Sequence, residues 1–150
     1  MSRLDQAAVA VPAPSRSAGT RRFLGLVVTG LLATVVAMVA TALAAALARA
    51  AGVDFEVPDG GETIPVSGVA VVTGFFSVVG TVLAAALLRL STQPARRFVQ
   101  TAGALTAISL VPPLLCGADA TTTSALLVLH LVAAAVMIPA LARSLDDRTA

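Results

Sequence analysis

The stretch "SALLVLHLVAAAVMIPALAR", Ser124 to Arg143, is apolar enough to lie in lipid, yet it holds the chain's single histidine, His130, near its middle. A helix needs about 20 predominantly apolar residues to cross the hydrocarbon core of a bilayer. The fourth such run is Thr122–Leu141, and three others meet the length or nearly so: Phe23–Ala48, Val66–Leu88 and Phe98–Cys116. The fold read from these runs is an all-α membrane protein. It is a bundle of four transmembrane helices with a short outer loop or β-hairpin.

Composition agrees with that reading. Of the 150 residues, 57% are hydrophobic and 12% charged, with a mean hydropathy of +0.94. A soluble domain carries about twice that share of charge. Trp and Tyr are absent, so the usual aromatic belt at the membrane interface is missing. Every basic residue is Arg and Ala is abundant, which points to GC-rich codon usage and a bacterial source. The sequence pI near 10 suggests nucleic-acid binding until the arginines are located. They flank the apolar runs and form no basic face, so topology accounts for them and a nucleic-acid partner is not expected. Cys116 stands alone, which excludes an intrachain disulfide, a Cys-based metal cluster and a dithiol redox centre.

Orientation follows from the same arginines. Placing both termini in the cytoplasm puts nine of the ten arginines inside and leaves only Arg49 outside. Such an asymmetry over short loops is a strong determinant of topology. Residues 1–20, rich in Ala, Pro and Ser, are expected to be a disordered cytoplasmic tail. Residues 21–143 form the transmembrane domain and residues 144–150 a cytoplasmic tail. A rival reading makes Phe23–Ala48 a cleaved signal peptide, with "ALARA" at Ala46–Ala50 as the cleavage segment. Signal-peptide apolar cores run to only about 15 residues, so this run is expected to remain as a membrane anchor.

The outer connection "VDFEVPDGGETIPV", Val53 to Val66, alternates Val53, Phe55 and Val57 with Asp54 and Glu56, which is strand periodicity. Pro58, Asp59 and Gly60 then supply turn chemistry. A β-hairpin or an irregular polar loop fits this pattern, since an isolated hairpin is only marginally stable. The acidic residues of the loop lack the ligand spacing of an EF-hand.

Small and polar residues mark where the helices face one another. Lipid supplies no hydrophobic drive between helices, so contact depends on close packing and interhelical hydrogen bonds. The stripes are Gly30, Thr34, Ala37, Thr41 and Ala44; Thr73, Ser77, Gly80, Thr81 and Ala84; and Ala102, Thr106, Ser109 and Pro113. Around His130, the residues within about 60° on a helical projection include Leu126, Ala133, Ala134 and Met137. Thr34, Ser77, Thr106, Ser109 and His130 lie near the middle of their spans and are the candidate intramembrane polar site. Each hydroxyl can alternatively bond back to a carbonyl of its own preceding turn. For His130 the expectation is a neutral imidazole bonded to a hydroxyl on a neighbouring helix, with Thr34, Ser77 and Ser109 as partners. A proton- or ligand-handling role and a lipid- or water-facing position are the alternatives. Pro112 and Pro113 should kink the third span and Pro139 the fourth. Asp119 or Thr121 suits the N-cap of the last helix.

The segment "GADATTTSALLVLHLVAAAVMIPALAR" is similar to an uncharacterised family of small four-span membrane proteins from high-GC, actinobacterial-type bacteria, a domain of unknown function. The Thr-rich run Thr121–Thr123, His130 and the exit Ile138–Leu141 carry the resemblance. The arginine pair before the first span and the outer connection after it look similar too. The resemblance covers most of Arg21–Arg143, supports the four-span topology and implies no activity.

The function read from these residues is a non-enzymatic multi-pass membrane protein, a structural or partner subunit or a homo-oligomer. Nucleophile–base pairs, metal sets and phosphate loops are missing from the sequence, so no catalytic residue, cofactor or metal is assigned. The alternative is a small transporter or channel protomer with His130 in its pathway, although the spans hold no carboxylate for coupling.

Overall fold

The computed structural model describes residues 16–57 and 62–149. Five helices and one hairpin follow in order: α1 (Arg16–Ala50), β1 (Glu56–Val57), β2 (Glu62–Thr63), α2 (Val66–Leu90), α3 (Pro94–Ser109), α4 (Val111–Leu115) and α5 (Ala120–Thr149). Four stretches are long and apolar enough to cross a membrane: Gly19–Ala50, Val66–Leu90, Pro94–Leu115 and Ala120–Arg148. Without water, every backbone N–H and C=O must find a partner inside the segment. Runs rich in Val therefore become helix despite their β propensity.

The helix ends are written in local chemistry. At the end of α1, Gly52 takes φ +94, its N–H reaches the Arg49 carbonyl at 2.9 Å, and Val53 N–H reaches Ala48 O at 3.0 Å. That double bond pattern around a left-handed glycine is the Schellman motif. Helix α3 opens with Pro94 in its first turn, where the missing N–H costs nothing. The third span breaks at Leu110, between α3 and α4. Pro112 and Pro113 offer no N–H to the carbonyls four residues back, so the helix is interrupted where a kink is expected. Pro139, by contrast, lies inside a continuous α5.

Helix α1 packs most extensively on α2 and α5, and α3 completes the ring between α5 and α2. At one end of the bundle Leu26, Phe98, Leu141 and Leu145 form a core with Ala37, Ala84 and Met137. At the other end Ala45, Leu129 and Phe55 form a second core beneath the hairpin. The hairpin is antiparallel, with Glu56 opposite Thr63 and Val57 opposite Glu62. It is shorter than the alternation predicts, because Phe55 leaves the strand at φ +53 and buries its ring (1% exposed) in the bundle. Arg49 ties the cap down through a 2.6 Å hydrogen bond to Ile64 O, with its guanidinium above the Phe55 ring.

Two boundaries differ from expectation. Arg16–Thr20, read as part of a disordered tail, belongs to α1, and the expected C-terminal tail continues α5 through Thr149. Both helices outlast their apolar runs because helix propagation adds one hydrogen bond per residue once a long nucleus exists. The remaining tail at 1–15 and the turn at 58–60 lie outside the described residues.

The outer surface is apolar. Val71, Phe75 (64%), Phe76, Leu105, Ile108 and Leu115 (78%) are all exposed. In water such a surface would be costly by about 25 cal/mol per Å² of apolar area; facing hydrocarbon it costs nothing.

Candidate functional site

The polar groups of the bundle concentrate on the seam between α1 and α2. Gly30, Thr34, Ala37, Thr41 and Ala45 on α1 are buried, as are Gly74, Ser77, Thr81 and Ala84 on α2. Gly30 lies so close to Thr81 that a Cβ added to it would stand 2.3 Å from the threonine methyl. The first two stripes of small residues read from the sequence thus lie largely on the contact between these two helices; Gly80 is an exception, facing open space.

The hydroxyls mostly turn back onto their own helices. Thr34 donates to Gly30 O at 2.8 Å, Thr81 to Ser77 O at 3.0 Å, Thr106 to Ala102 O at 2.8 Å and Ser109 to Thr106 O at 2.7 Å. Thr41 donates to Ala37 O at 2.9 Å, and its oxygen also lies 3.2 Å from the Thr73 hydroxyl. Among the described residues, Thr41 and Thr73 form the hydroxyl pair that joins two helices. Both sat on the sequence stripes but away from the midplane layer, so depth was the wrong filter for finding them.

His130 does not make the expected interhelical bond. Its half-buried ring places Nδ1 2.8 Å from Leu126 O, one turn earlier in α5. A carbonyl only accepts, so Nδ1 is the donor in this contact. The reason is rotational. The buried face of α5 runs through Thr122, Leu129, Met137, Leu141 and Leu145, and His130 stands one position, about 100°, round from Leu129. From that flank the nearest acceptor is the helix's own carbonyl. Apart from the bond of Ser109 to Thr106 O within α3, no hydrogen bond among the described residues joins Thr34, Ser77, Thr106, Ser109 and His130, so they do not form one layer across the helices. Replacing His130 with Leu is accordingly expected to change stability by less than about 1 kcal/mol. A melting curve in mild detergent checks this, and a loss as large as a core truncation would assign the imidazole a larger role.

At the opposite face, Asp119 caps α5. Its carboxylate accepts from the backbone N–H of Thr121 and of Thr122, each at 3.1 Å, and from the Thr121 hydroxyl. The Thr121 hydroxyl foremost, then the Thr122 side chain and the two backbone amides, lower its pKa from 3.8 to about 2. Of the two cap candidates, Asp119 therefore fills the role. Cys116, half-buried nearby, donates to Pro113 O at 3.2 Å. Among the described residues no three His, Cys, Asp or Glu side chains gather within reach of one metal ion.

Four apolar helices with their polar groups turned inward or satisfied locally, and an apolar exterior, are the architecture of an integral membrane protein. Residues 21–147 match the model of a family of unknown function, DUF6069, and the chain belongs to that family. No curated protein and no solved structure matches it.

Proposed function

We propose that this protein is a multi-pass protein of a bacterial cell membrane, with both termini cytoplasmic, that acts as a non-enzymatic structural or partner subunit. The observation that carries this reading is the exposed side of α3. Gly103 and Ala107, one turn apart, are exposed there, and a Cβ on Gly103 would meet no atom within 4 Å. Small residues at a spacing of four let a second helix approach closely in lipid. The partner is a second copy or another membrane helix. Native mass spectrometry from mild detergent should find the chain in a complex, and Gly103→Leu should disperse it. A wild-type chain that flies only as a monomer would refute the proposal.

Orientation rests on the arginines. Nine of ten fall on one side when both termini are cytoplasmic, which also keeps α1 as an anchor. With Cys116 replaced by Ala, single cysteines at Ser15, Gly61 and Thr149 are to be probed in intact cells with an impermeant maleimide. Labelling at Gly61 alone is the expected pattern. Labelling at Ser15 or Thr149 with Gly61 protected would invert the topology.

A further inference from the structure

We propose that the end of the bundle where α1 begins and α5 ends holds a site for the phosphodiester headgroup of an anionic phospholipid, formed by Arg22, Arg89 and Arg148. The proposal rests on the membrane reading above. A recess of about 660 Å³ opens there between the starts and ends of three helices. Arg22 comes from α1, Arg89 from the last turn of α2 and Arg148 from the last turn of α5. Gly19, Thr20 and Thr92 add backbone and hydroxyl groups, while Phe23 and Leu88 supply apolar wall.

Arginines in the last turn of a helix ordinarily serve that helix by facing its terminal carbonyls. These two cross to α1 instead. The Arg89 guanidinium lies over the Phe23 ring, 4.4 Å from its centroid. Arg148 lies over Gly25, where an added Cβ would meet its two terminal nitrogens at 2.7 Å. Only a residue without a side chain lets that guanidinium approach the helix so closely. Three positive charges drawn together from three helices repel one another, and an anion between them removes the repulsion.

The partners already engaged are neutral and leave the right donors open. Stacking on Phe23 occupies the face of Arg89 and leaves its in-plane N–H groups free. Arg148 spends Nε on Ser144 Oγ at 3.2 Å, which leaves the terminal fork. Such forks match phosphate oxygens in bidentate geometry. A lipid rather than a soluble phosphate is favoured by the surroundings. The apolar wall of Phe23 and Leu88 adjoins Leu24, which is exposed on the outer surface of α1, so acyl chains continue from the recess along the bundle. Basic pockets between transmembrane helices are a known form of anionic-lipid site.

The test uses the full-length protein in a non-ionic detergent, titrated separately with phosphatidylglycerol, phosphatidylcholine, and glycerol 3-phosphate. Retained lipid is read by native mass spectrometry and stabilisation by the shift in melting temperature. Phosphatidylglycerol should be retained and should raise the melting temperature, whereas phosphatidylcholine and glycerol 3-phosphate should do neither. The triple variant Arg22→Gln, Arg89→Gln, Arg148→Gln should weaken phosphatidylglycerol binding by about tenfold or more. The control Arg96→Gln, Arg97→Gln, Arg143→Gln, which removes as much charge from the same end but outside the recess, should bind as the wild type does. The exposed Arg22→Gln alone, which breaks no recorded contact, should weaken binding in a folded protein even if the triple variant does not fold. Equal loss in the control would reduce the effect to general electrostatics and overturn the site. Unchanged binding in the recess variants would do the same, and full stabilisation by glycerol 3-phosphate would replace the lipid with a soluble ligand. Extraction of the chain from membranes by alkaline carbonate would refute the membrane reading separately.

Discussion

Replacing Phe55 with alanine is expected to destabilise the protein by about 3 kcal/mol, the lower end of the range for buried Phe→Ala changes. The ring is the largest fully buried side chain of the core beneath the hairpin, packed with Ala45 and Leu129. The lower end applies because a ring displaced at the membrane surface is only partly hydrated. Phe55 also holds a left-handed backbone at φ +53, a conformation that costs a residue with a Cβ about 1–2 kcal/mol. Phe55→Gly relieves that strain while losing the same ring, so it should be less damaging than Phe55→Ala. The order wild type, glycine, alanine in melting temperature is therefore the informative result. Cleavage by a glutamate-specific protease at Glu56 or Glu62 should accelerate in the same order. If alanine melts with the wild type and the loop is cut no faster, Phe55 does not hold the cap.

The second large effect is expected at Gly30. In Gly30→Ala the new methyl would lie 2.3 Å from Thr81 Cγ2 and 2.6 Å from its hydroxyl. Thr81 is buried and bonded to Ser77 O, and a β-branched side chain in a helix has few rotamers to retreat into. The helices must part, at a cost of about 1–3 kcal/mol. Thr81→Ala in the same chain removes the two nearest atoms and leaves one at 3.0 Å, so the double variant should recover part of the loss. Gly80→Ala faces open space and should be neutral or slightly stabilising. A Gly30→Ala protein that melts like wild type would mean the α1–α2 seam is looser than this contact requires.

What could be read in advance divides along physical lines. The spans were legible because the bilayer sets a length and the chain meets it four times. The α1 and α2 faces were legible because Gly30, Thr34, Thr41 and Ser77 have no reason to interrupt a run of Val and Leu except contact. The cap of α5 was legible down to Asp119 or Thr121, and the bonds of Asp119 to the Thr121 and Thr122 amides decide between them. The flank position of His130 was not legible, since a projection centred on the histidine assumes the face it seeks to find; the rotation of α5 is set by Leu129, Met137 and Leu141. Nor was the burial of Phe55, because alternation is a local signal and filling the hairpin end of the bundle is a tertiary demand. Arg22, Arg89 and Arg148 were read correctly as flanking charge, but their convergence depends on how three helices are rotated.

The seam of Gly, Ala, Ser and Thr between α1 and α2 also bears on assembly. Such side chains have almost no rotational freedom to surrender, and the hydroxyls that do are already held by their own carbonyls before the helices meet. Association of this pair therefore freezes little, while gaining the most extensive helix contact in the molecule. Being adjacent in sequence as well, α1 and α2 form the natural first unit, a template against which α5 and then the broken third span settle. A substitution on the seam thus acts twice, on the finished bundle and on the order in which it is built.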